Sequence, residues 1–186
     1  MALKIYKISE FNHKAKIGLF DELCKLLAER CEDGEEECIV VGNYNVEGVE
    51  IDAMVVTQYG VMFFDFKNGG GNIVAREVGE WTQNDHSVAG GAYGKSPMVN
   101  ARMMRNRLRS SSSKLLGCQL SDAKVVVVFS MASAIDDSAL SESTKSWLTV
   151  CDINNIADVL DKALLGARVI NDEIFKAIPN HLCISQ

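Results

Sequence analysis

The chain of 186 residues contains no apolar run long enough to cross a membrane as a helix. Its longest uninterrupted stretch is Val125 to Phe129, whereas a membrane span needs about 20 residues. Its first residues, Met1 to Lys7, lack the apolar segment of a secretory signal peptide. The six cysteines include no C-x-x-C pair, which favours buried reduced thiols over a zinc site or a disulfide framework. These absences predict a cytoplasmic protein that does not contact membranes.

Several common catalytic patterns are also missing. The histidines, His13, His86 and His181, lie far apart and share no ligand spacing, and no grouping of Ser, His and Asp indicates a nucleophile. Residues 89–96 nearly match a phosphate-binding P-loop, but no apolar strand precedes them and their first residue is Ala where the motif has Gly. We interpret this stretch as a loop leading into a helix, in which Lys95 could still contact a phosphate.

Acidic residues are absent between His86 and Ser121, although the chain as a whole carries a net charge of −6. This segment holds six basic residues, so the rest of the chain carries −12. A local basic segment can bind phosphates while the protein stays acidic overall. Arg102, Arg105 and Arg109 share one face of a predicted helix and are candidate nucleic-acid contacts. The alternative is a solvated helix face, which the lack of acidic partners one turn away makes less favourable.

Hydrophobic periodicity predicts an α/β fold in which helices flank a mixed central sheet. The expected order is α-β-β-β-α-β followed by a further strand and helix, in one domain over residues 1–186 with its core at about 14–165. Residues 68–72 are predicted to form a turn that ends the third strand. The other expected elements are a helix over 14–31, a strand over 38–42, a hairpin over 53–64, a Ser-capped helix over 96–110, a buried strand over 124–130 and a helix over 153–165.

The polar residues that begin and end this hairpin suggest its chemistry. Glu-Ile-Asp at 50–52 leads the first strand, and Asp-Phe-Lys at 65–67 ends the second, otherwise apolar strand. A charge in such a place needs a partner or a metal. With a two-residue loop at 58–59, Asp52 would lie opposite Asp65, and the lysine two residues further on would share their face. The prediction that these side chains share one face therefore depends on an even number of residues in the loop.

Two carboxylates this close can share a cation such as Mg²⁺, which takes oxygen ligands together with water and phosphate. The cation would polarise a phosphoryl oxygen and activate water, and Lys67 could orient that water. The alternative is a simple ion pair between Asp65 and Lys67 at a strand end, because D…D-x-K is a short and frequent pattern. Glu22 and Glu29 border the apolar face of the first helix. Each could therefore reach the metal, or its side chain could simply be solvated at the edge of that face.

This order of residues resembles the PD-(D/E)XK nuclease superfamily, and more narrowly the nuclease-related domain (NERD) family, over about residues 16–130. The family pattern contains a helix glutamate, an E-I-D strand start, a G-V-x-x-(I/V)-E-x-K strand, a downstream Trp and an N-P-x-x-Q helix start. The corresponding residues here are Glu22, 50–52, 60–67, Trp81 and 96–100. The chain departs from the pattern at Asp65, which replaces the usual Glu, at Asp21, which replaces a Gly, and at Asn100, which replaces the usual Gln.

The resemblance implies a restriction-endonuclease-like core and an endonuclease that hydrolyses DNA with Mg²⁺ or Mn²⁺, RNA being a second substrate it leaves open. In this interpretation Lys67 positions the nucleophilic water and Asn100 acts near the scissile phosphate. The implied metal ligands are Asp52, Asp65, Glu22 and the Phe66 carbonyl. The alternative is a degenerate nuclease fold that binds nucleic acid or a protein partner without cleaving. A homodimer, or association with a helicase or kinase domain, is compatible with either function.

Overall fold

The computed structural model describes residues 3–33, 37–90, 96–120, 122–164 and 167–182. None of the helices in these ranges is both long and apolar enough to cross a membrane. The elements, in chain order, are β1 (Leu3–Lys7), α1 (Lys14–Asp33), β2 (Cys38–Val46), β3 (Val49–Thr57), β4 (Gly60–Arg76), β5 (Thr82–Gln83), β6 (His86–Ser87), α2 (Pro97–Leu116), β7 (Lys124–Ala139), α3 (Glu142–Lys145), β8 (Leu148–Asp152), a 3₁₀ turn (Ile153–Asn155), α4 (Ile156–Leu164) and α5 (Asp172–His181).

The described strands form one mixed sheet, which confirms the predicted α/β class. Strands β2, β3 and β4 are joined as an antiparallel meander, and β1 pairs in parallel with β2 at the edge. Strand β4 also pairs in parallel with β7, and β7 with β8. Strand β4 is therefore central, between β3 and β7, and it carries the D-x-K residues of the candidate site.

Side chains alternate between the two faces of the sheet, and each face packs under its own helices. Phe63 and Val127 join the cluster that contains residues of α2 and α5, whereas Phe64 and Val126 join the cluster that contains residues of α1 and α4. This alternation follows from the two-residue period of a strand. It places odd-numbered residues of β4 on the α2 face and even-numbered ones on the α1 face.

Helix α2 begins where the sequence predicts. The Ser96 side chain accepts a hydrogen bond from the Val99 N–H, and Pro97 occupies the first helical position, where its missing N–H costs nothing. The helix continues beyond the predicted end at residue 110 and stops at Gly117, whose φ of 73° suits a glycine. The cap fixes Asn100 in the first turn of α2.

One prediction about a strand was wrong. Residues 68–72 do not end the third strand, because β4 runs on to Arg76 and pairs with β7 along nearly its whole length. The glycines at 69–71 accommodate shifts in register between the two strands instead of a reversal of the chain. Strand β1 and helix α5, which the sequence pattern did not predict, complete the described fold.

Candidate active site

The β3–β4 hairpin has the predicted two-residue loop. Thr57 pairs with Gly60, and the register continues to Ala53 paired with Phe64, so the next pair in the same register is Asp52 and Asp65. Beyond the last regular pair, the Phe66 N–H donates to Asp52 Oδ2 at 2.7 Å. The predicted juxtaposition of the two aspartates is therefore confirmed.

Asp65 is held by two side chains that the sequence pattern also singled out. Lys67 Nζ lies 2.8 Å from Asp65 Oδ1, and Asn100 Nδ2 donates to Asp65 Oδ2 at 3.1 Å. Lys67 Nζ also donates to the Gly90 carbonyl at 2.8 Å. Asp65 is only 2 % exposed, so these contacts compensate the cost of burying its charge. They bring Asn100 of α2 and Lys67 of β4 to the same carboxylate.

Asp52 has a partner that the sequence analysis missed. Lys16, in the first turns of α1, places Nζ 2.5 Å from Asp52 Oδ1 and 4.0 Å from Glu50 Oε1. A pattern in the sequence could have revealed it, because Lys16 lies four and seven residues before the buried Phe20 and Leu23. It therefore continues the buried face of the helix toward the N-terminus, where a lysine needs an acidic partner.

The electrostatics of the site follow from this burial. Burial raises the pKa of Asp52 from 3.8 to about 6, and the nearby charge of Asp65 adds to the rise, while Lys16 and the Phe66 N–H oppose it. Burial by itself lowers the pKa of Lys16, but the charge and hydrogen bond of Asp52 reverse this effect, so the Lys16 pKa is raised overall. A further cation between the aspartates would relieve their mutual repulsion.

These residues open into a pocket of about 560 Å³. Its walls include the chain just before α1 and the first turns of that helix, the β2–β3 turn, the D-x-K residues in the middle of β4 and the first turns of α2. Among the described residues, no three His, Cys, Asp or Glu side chains form a metal-binding group. The donor set is thus two aspartates, which fits Mg²⁺, since this ion usually keeps several waters and takes one or two protein carboxylates.

The comparisons with known proteins agree with this geometry. The family model described as nuclease-related domain, NERD, matches residues 18–130, more than half of the chain. The chain belongs to the NERD family. No curated protein and no solved structure gives a significant match. The match to the NERD model contains Asp52, Asp65, Lys67 and Asn100, but it begins after Lys16.

Glu22 does not reach the site of this NERD domain. Its side chain is 42 % exposed, lies 3.8 Å from Lys25 and is not part of the pocket wall. Glu29 is likewise exposed. The physical reason is helical phase: Lys16 takes the position facing Asp52, and Glu22, six residues later, lies about 120° around the helix axis from it. The implied metal role of Glu22 is therefore not supported by its position.

The predicted arginine face of α2 is largely neutralised within the fold. Arg102 pairs with Glu77 at 2.8 Å, and Arg105 pairs with Asp122 at 2.7 Å and stacks over Trp147. The acidic partners of Arg102 and Arg105 lie outside the basic segment. These two arginines are therefore paired even though the segment itself contains no acidic residue. Arg109 is exposed and does not line the pocket, and Lys95 lies outside the described residues.

A different arginine lies beside the pocket. Asn100 and Met103 of α2 line the pocket, and Arg107 follows Met103 by one helical turn on the same side of the helix. Its guanidinium is 3.5 Å from Glu47 of the β2–β3 turn, and both side chains are nearly half exposed. Such an exposed pair is weak, so Arg107 can leave it to contact another anion.

Proposed function

We propose that this NERD domain is a Mg²⁺- or Mn²⁺-dependent endonuclease that hydrolyses phosphodiester bonds in DNA. The observation that carries the proposal is the convergence of two buried aspartates and a lysine in one open pocket. Asp52 comes from β3, and Asp65 and Lys67 from β4, and all three line the pocket. Family membership independently supports a nuclease-related function.

The residues that would hold the metal are Asp52 and Asp65, together with the Phe66 carbonyl. The N–H and C=O of one residue in an extended strand point to the same side, and the Phe66 N–H points to Asp52. When bound, the metal supplies charge stabilisation at the phosphoryl oxygen and activates water. Each aspartate oxygen accepts one hydrogen bond here, which leaves further lone pairs for a cation.

Lys67 is positioned to orient the attacking water. An ammonium group has three N–H donors, and two of those of Lys67 are directed to Asp65 and to the Gly90 carbonyl. The third donor remains for a water molecule or for the charge that develops on phosphorus. Asn100 holds the other oxygen of Asp65, so the carboxylate that touches Lys67 has a fixed orientation.

The pocket also offers places for the phosphates that flank the cleaved bond. Its wall includes His13, next to the start of α1, where the helix dipole favours an anion. Arg107 lies one helical turn beyond Met103, which lines the pocket, and pairs with Glu47 of the β2–β3 turn. Contacts of this kind bind the backbone of a nucleic acid and do not select its sequence.

A second function, binding of nucleic acid or a protein partner without cleavage, is favoured by one observation. Both aspartates are already paired with lysines, Asp52 with Lys16 and Asp65 with Lys67. Two pairs of this kind leave neither buried carboxylate without a counter-charge, so the site needs no metal to compensate them. In this case the fold would be that of a nuclease, and the pocket would serve recognition alone.

Cleavage of supercoiled, linear and single-stranded DNA by the purified chain in Mg²⁺, Mn²⁺ or EDTA distinguishes the two functions. The expected result is metal-dependent cleavage that falls at least about a hundredfold in Asp65→Ala and in Lys67→Ala. Asp21→Ala, on the exposed face of α1, is the matched control and should cleave as the wild type does. Full activity in either site variant would refute the assignment of these residues, and an inactive wild-type protein that binds DNA would establish the second function.

A further inference from the structure

The site contains one cation more than the proposed reaction uses. Lys67 has a role beside Asp65, but the contact of the Lys16 ammonium with Asp52 has none, although it is shorter than the contact of the Phe66 N–H with Asp52. Lys16 comes from α1 and precedes the part of the chain that matches the NERD model. Its contact with Asp52 therefore requires its own explanation, which rests on the metal site of the proposed function.

Lys16 and a divalent cation would compete for the same carboxylate. Asp52 Oδ2 already accepts the Phe66 N–H at 2.7 Å, and Oδ1 accepts Lys16 at 2.5 Å. A cation shared between Asp52 and Asp65 needs a lone pair of one of these oxygens and repels an ammonium at hydrogen-bonding distance. The Phe66 N–H is fixed by the backbone, whereas the lysine side chain can rotate. Lys16 is thus the group that has to leave.

Glu50 offers the displaced ammonium a new partner. It lies on the same face of β3 as Asp52, two residues away, and its carboxylate is already 4.0 Å from Lys16 Nζ. Its side chain is 44 % exposed, whereas that of Asp52 is 4 % exposed. A small rotation of the lysine side chain can therefore exchange a buried carboxylate for a solvated one, while α1 stays in place through its buried residues.

We propose that Lys16 is the resident counter-cation of Asp52, that a divalent metal displaces it, and that Glu50 then receives its ammonium group. Lys16 thereby sets the metal affinity of the site. In metal-free protein it neutralises Asp52 and keeps the two aspartates together. With metal bound it pairs with Glu50 at the pocket wall, close to where substrate phosphates would lie.

The test is the affinity of the intact chain for Mn²⁺, measured by calorimetry and by the electron paramagnetic resonance signal of free Mn²⁺. Lys16→Met removes the competing charge but keeps most of the aliphatic part of the side chain. The dissociation constant of this variant for Mn²⁺ should be about tenfold to a hundredfold lower than that of the wild type. Lys14→Met removes the same charge from an exposed position two residues earlier and should leave the affinity unchanged. Asp65→Ala should abolish Mn²⁺ binding at this site, both in the otherwise wild-type protein and in the protein that also carries Lys16→Met.

Equal or weaker Mn²⁺ affinity in Lys16→Met, with binding by the wild type intact, would overturn this inference and leave the metal site standing. Absence of Mn²⁺ binding in wild type and variant alike would overturn both. A crystal structure of wild-type protein with Mn²⁺, located by anomalous scattering, tests the displacement without any substitution. Lys16 Nζ should then lie within hydrogen-bonding distance of the Glu50 carboxylate. Its distance to the Asp52 carboxylate should be too long for a hydrogen bond. Retention of the Lys16–Asp52 bond beside bound Mn²⁺ would refute the exchange.

Discussion

Replacing Asp52 with asparagine should change how the stability of the metal-free protein depends on pH. Asp52 is 3 % exposed, and burial, reinforced by the charge of Asp65, raises its pKa from 3.8 to about 6. Asparagine has nearly the same volume and does not titrate. The substitution therefore removes the titration of one buried carboxyl with little change in packing.

The sign of the effect follows from proton binding. Folded Asp52 holds its proton more tightly than the unfolded chain does, so its stabilising contribution is complete below pH 3.8 and is lost as pH rises through about 6. The whole pKa difference corresponds to about 3 kcal/mol. About 2 kcal/mol of this falls between pH 4.5 and pH 7.5, a window that avoids acid denaturation by other carboxylates.

Urea unfolding in EDTA at pH 4.5 and pH 7.5 measures this contribution, with the fluorescence of the buried Trp81 and Trp147 as the signal. The free energy of unfolding of Asp52→Asn minus that of the wild type should be about 2 kcal/mol higher at pH 7.5 than at pH 4.5, because only the wild type loses stability over this range. Asp21→Asn removes an equal charge from the exposed side of α1 and controls for net charge. A difference between Asp52→Asn and wild type that is the same at both pH values would refute the reasoning.

At pH 7.5, magnesium should stabilise the wild type more than it stabilises Asp52→Asn. A ligand that binds only the folded state stabilises it by about 2.7 kcal/mol at a concentration one hundred times its dissociation constant. The wild type should gain this stability, whereas Asp52→Asn, which lacks one of the two proposed carboxylate ligands, should gain much less. An equal gain in both proteins would place the metal elsewhere.

Three further predictions concern the arginines of α2 and the packing of α1 against β2. The double variant Arg102→Ala/Arg105→Ala should lose stability but keep the salt dependence of DNA binding in Ca²⁺, because both side chains are paired within the fold. Arg107→Ala should reduce the log–log salt slope by about 1, the expected effect of one lost phosphate contact, and an unchanged slope would exclude Arg107 from the substrate surface. Gly42→Ala would place a methyl group 2.7 Å from an aromatic ring of α1, so urea unfolding should show a loss of about 1–3 kcal/mol. Gly18→Ala, which meets no atom within 4 Å, is its control and should not lose stability.

The hairpin half of the site was predictable because its geometry depends on local rules. Strand side chains alternate with a period of two, and a two-residue loop fixes which residues face each other. These rules predicted that Asp52 lies opposite Asp65, and the structure has the two-residue loop and keeps the same register as far as the neighbouring pair, Ala53 and Phe64. The Ser-Pro helix start was equally local, and it located Asn100 in the first turn of α2.

The helical half was not predictable in the same way, because it depends on how helices sit on the sheet. Lys16 faces the site through the packing of α1, while the side chain of Glu22, whose metal role only the family resemblance implied, is 42 % exposed and lies beside Lys25. The partners of Arg102 and Arg105 lie 25 and 17 residues away in sequence. A local charge count therefore finds a basic segment but cannot show that tertiary contacts neutralise part of it.

Replacing Asp65 with the glutamate that the NERD pattern usually carries tests whether this pocket is adapted to the shorter side chain. Asp65 is 2 % exposed, with Lys67 at 2.8 Å from one oxygen and Asn100 at 3.1 Å from the other. An added methylene moves the carboxylate by more than 1 Å, and overpacking of this kind costs about 1–3 kcal/mol.

Asp65→Glu should therefore lower both the urea midpoint and the rate of metal-dependent cleavage, even though it restores the family residue. Asp65→Asn keeps the shape and removes the charge, so it should lose cleavage while the fold keeps its packing. The contrast separates the length of the side chain from its charge. If Asp65→Glu cleaves DNA at least as fast as the wild type with an unchanged urea midpoint, the site tolerates either length, and the contacts of Lys67 and Asn100 with Asp65 do not define its catalytic geometry.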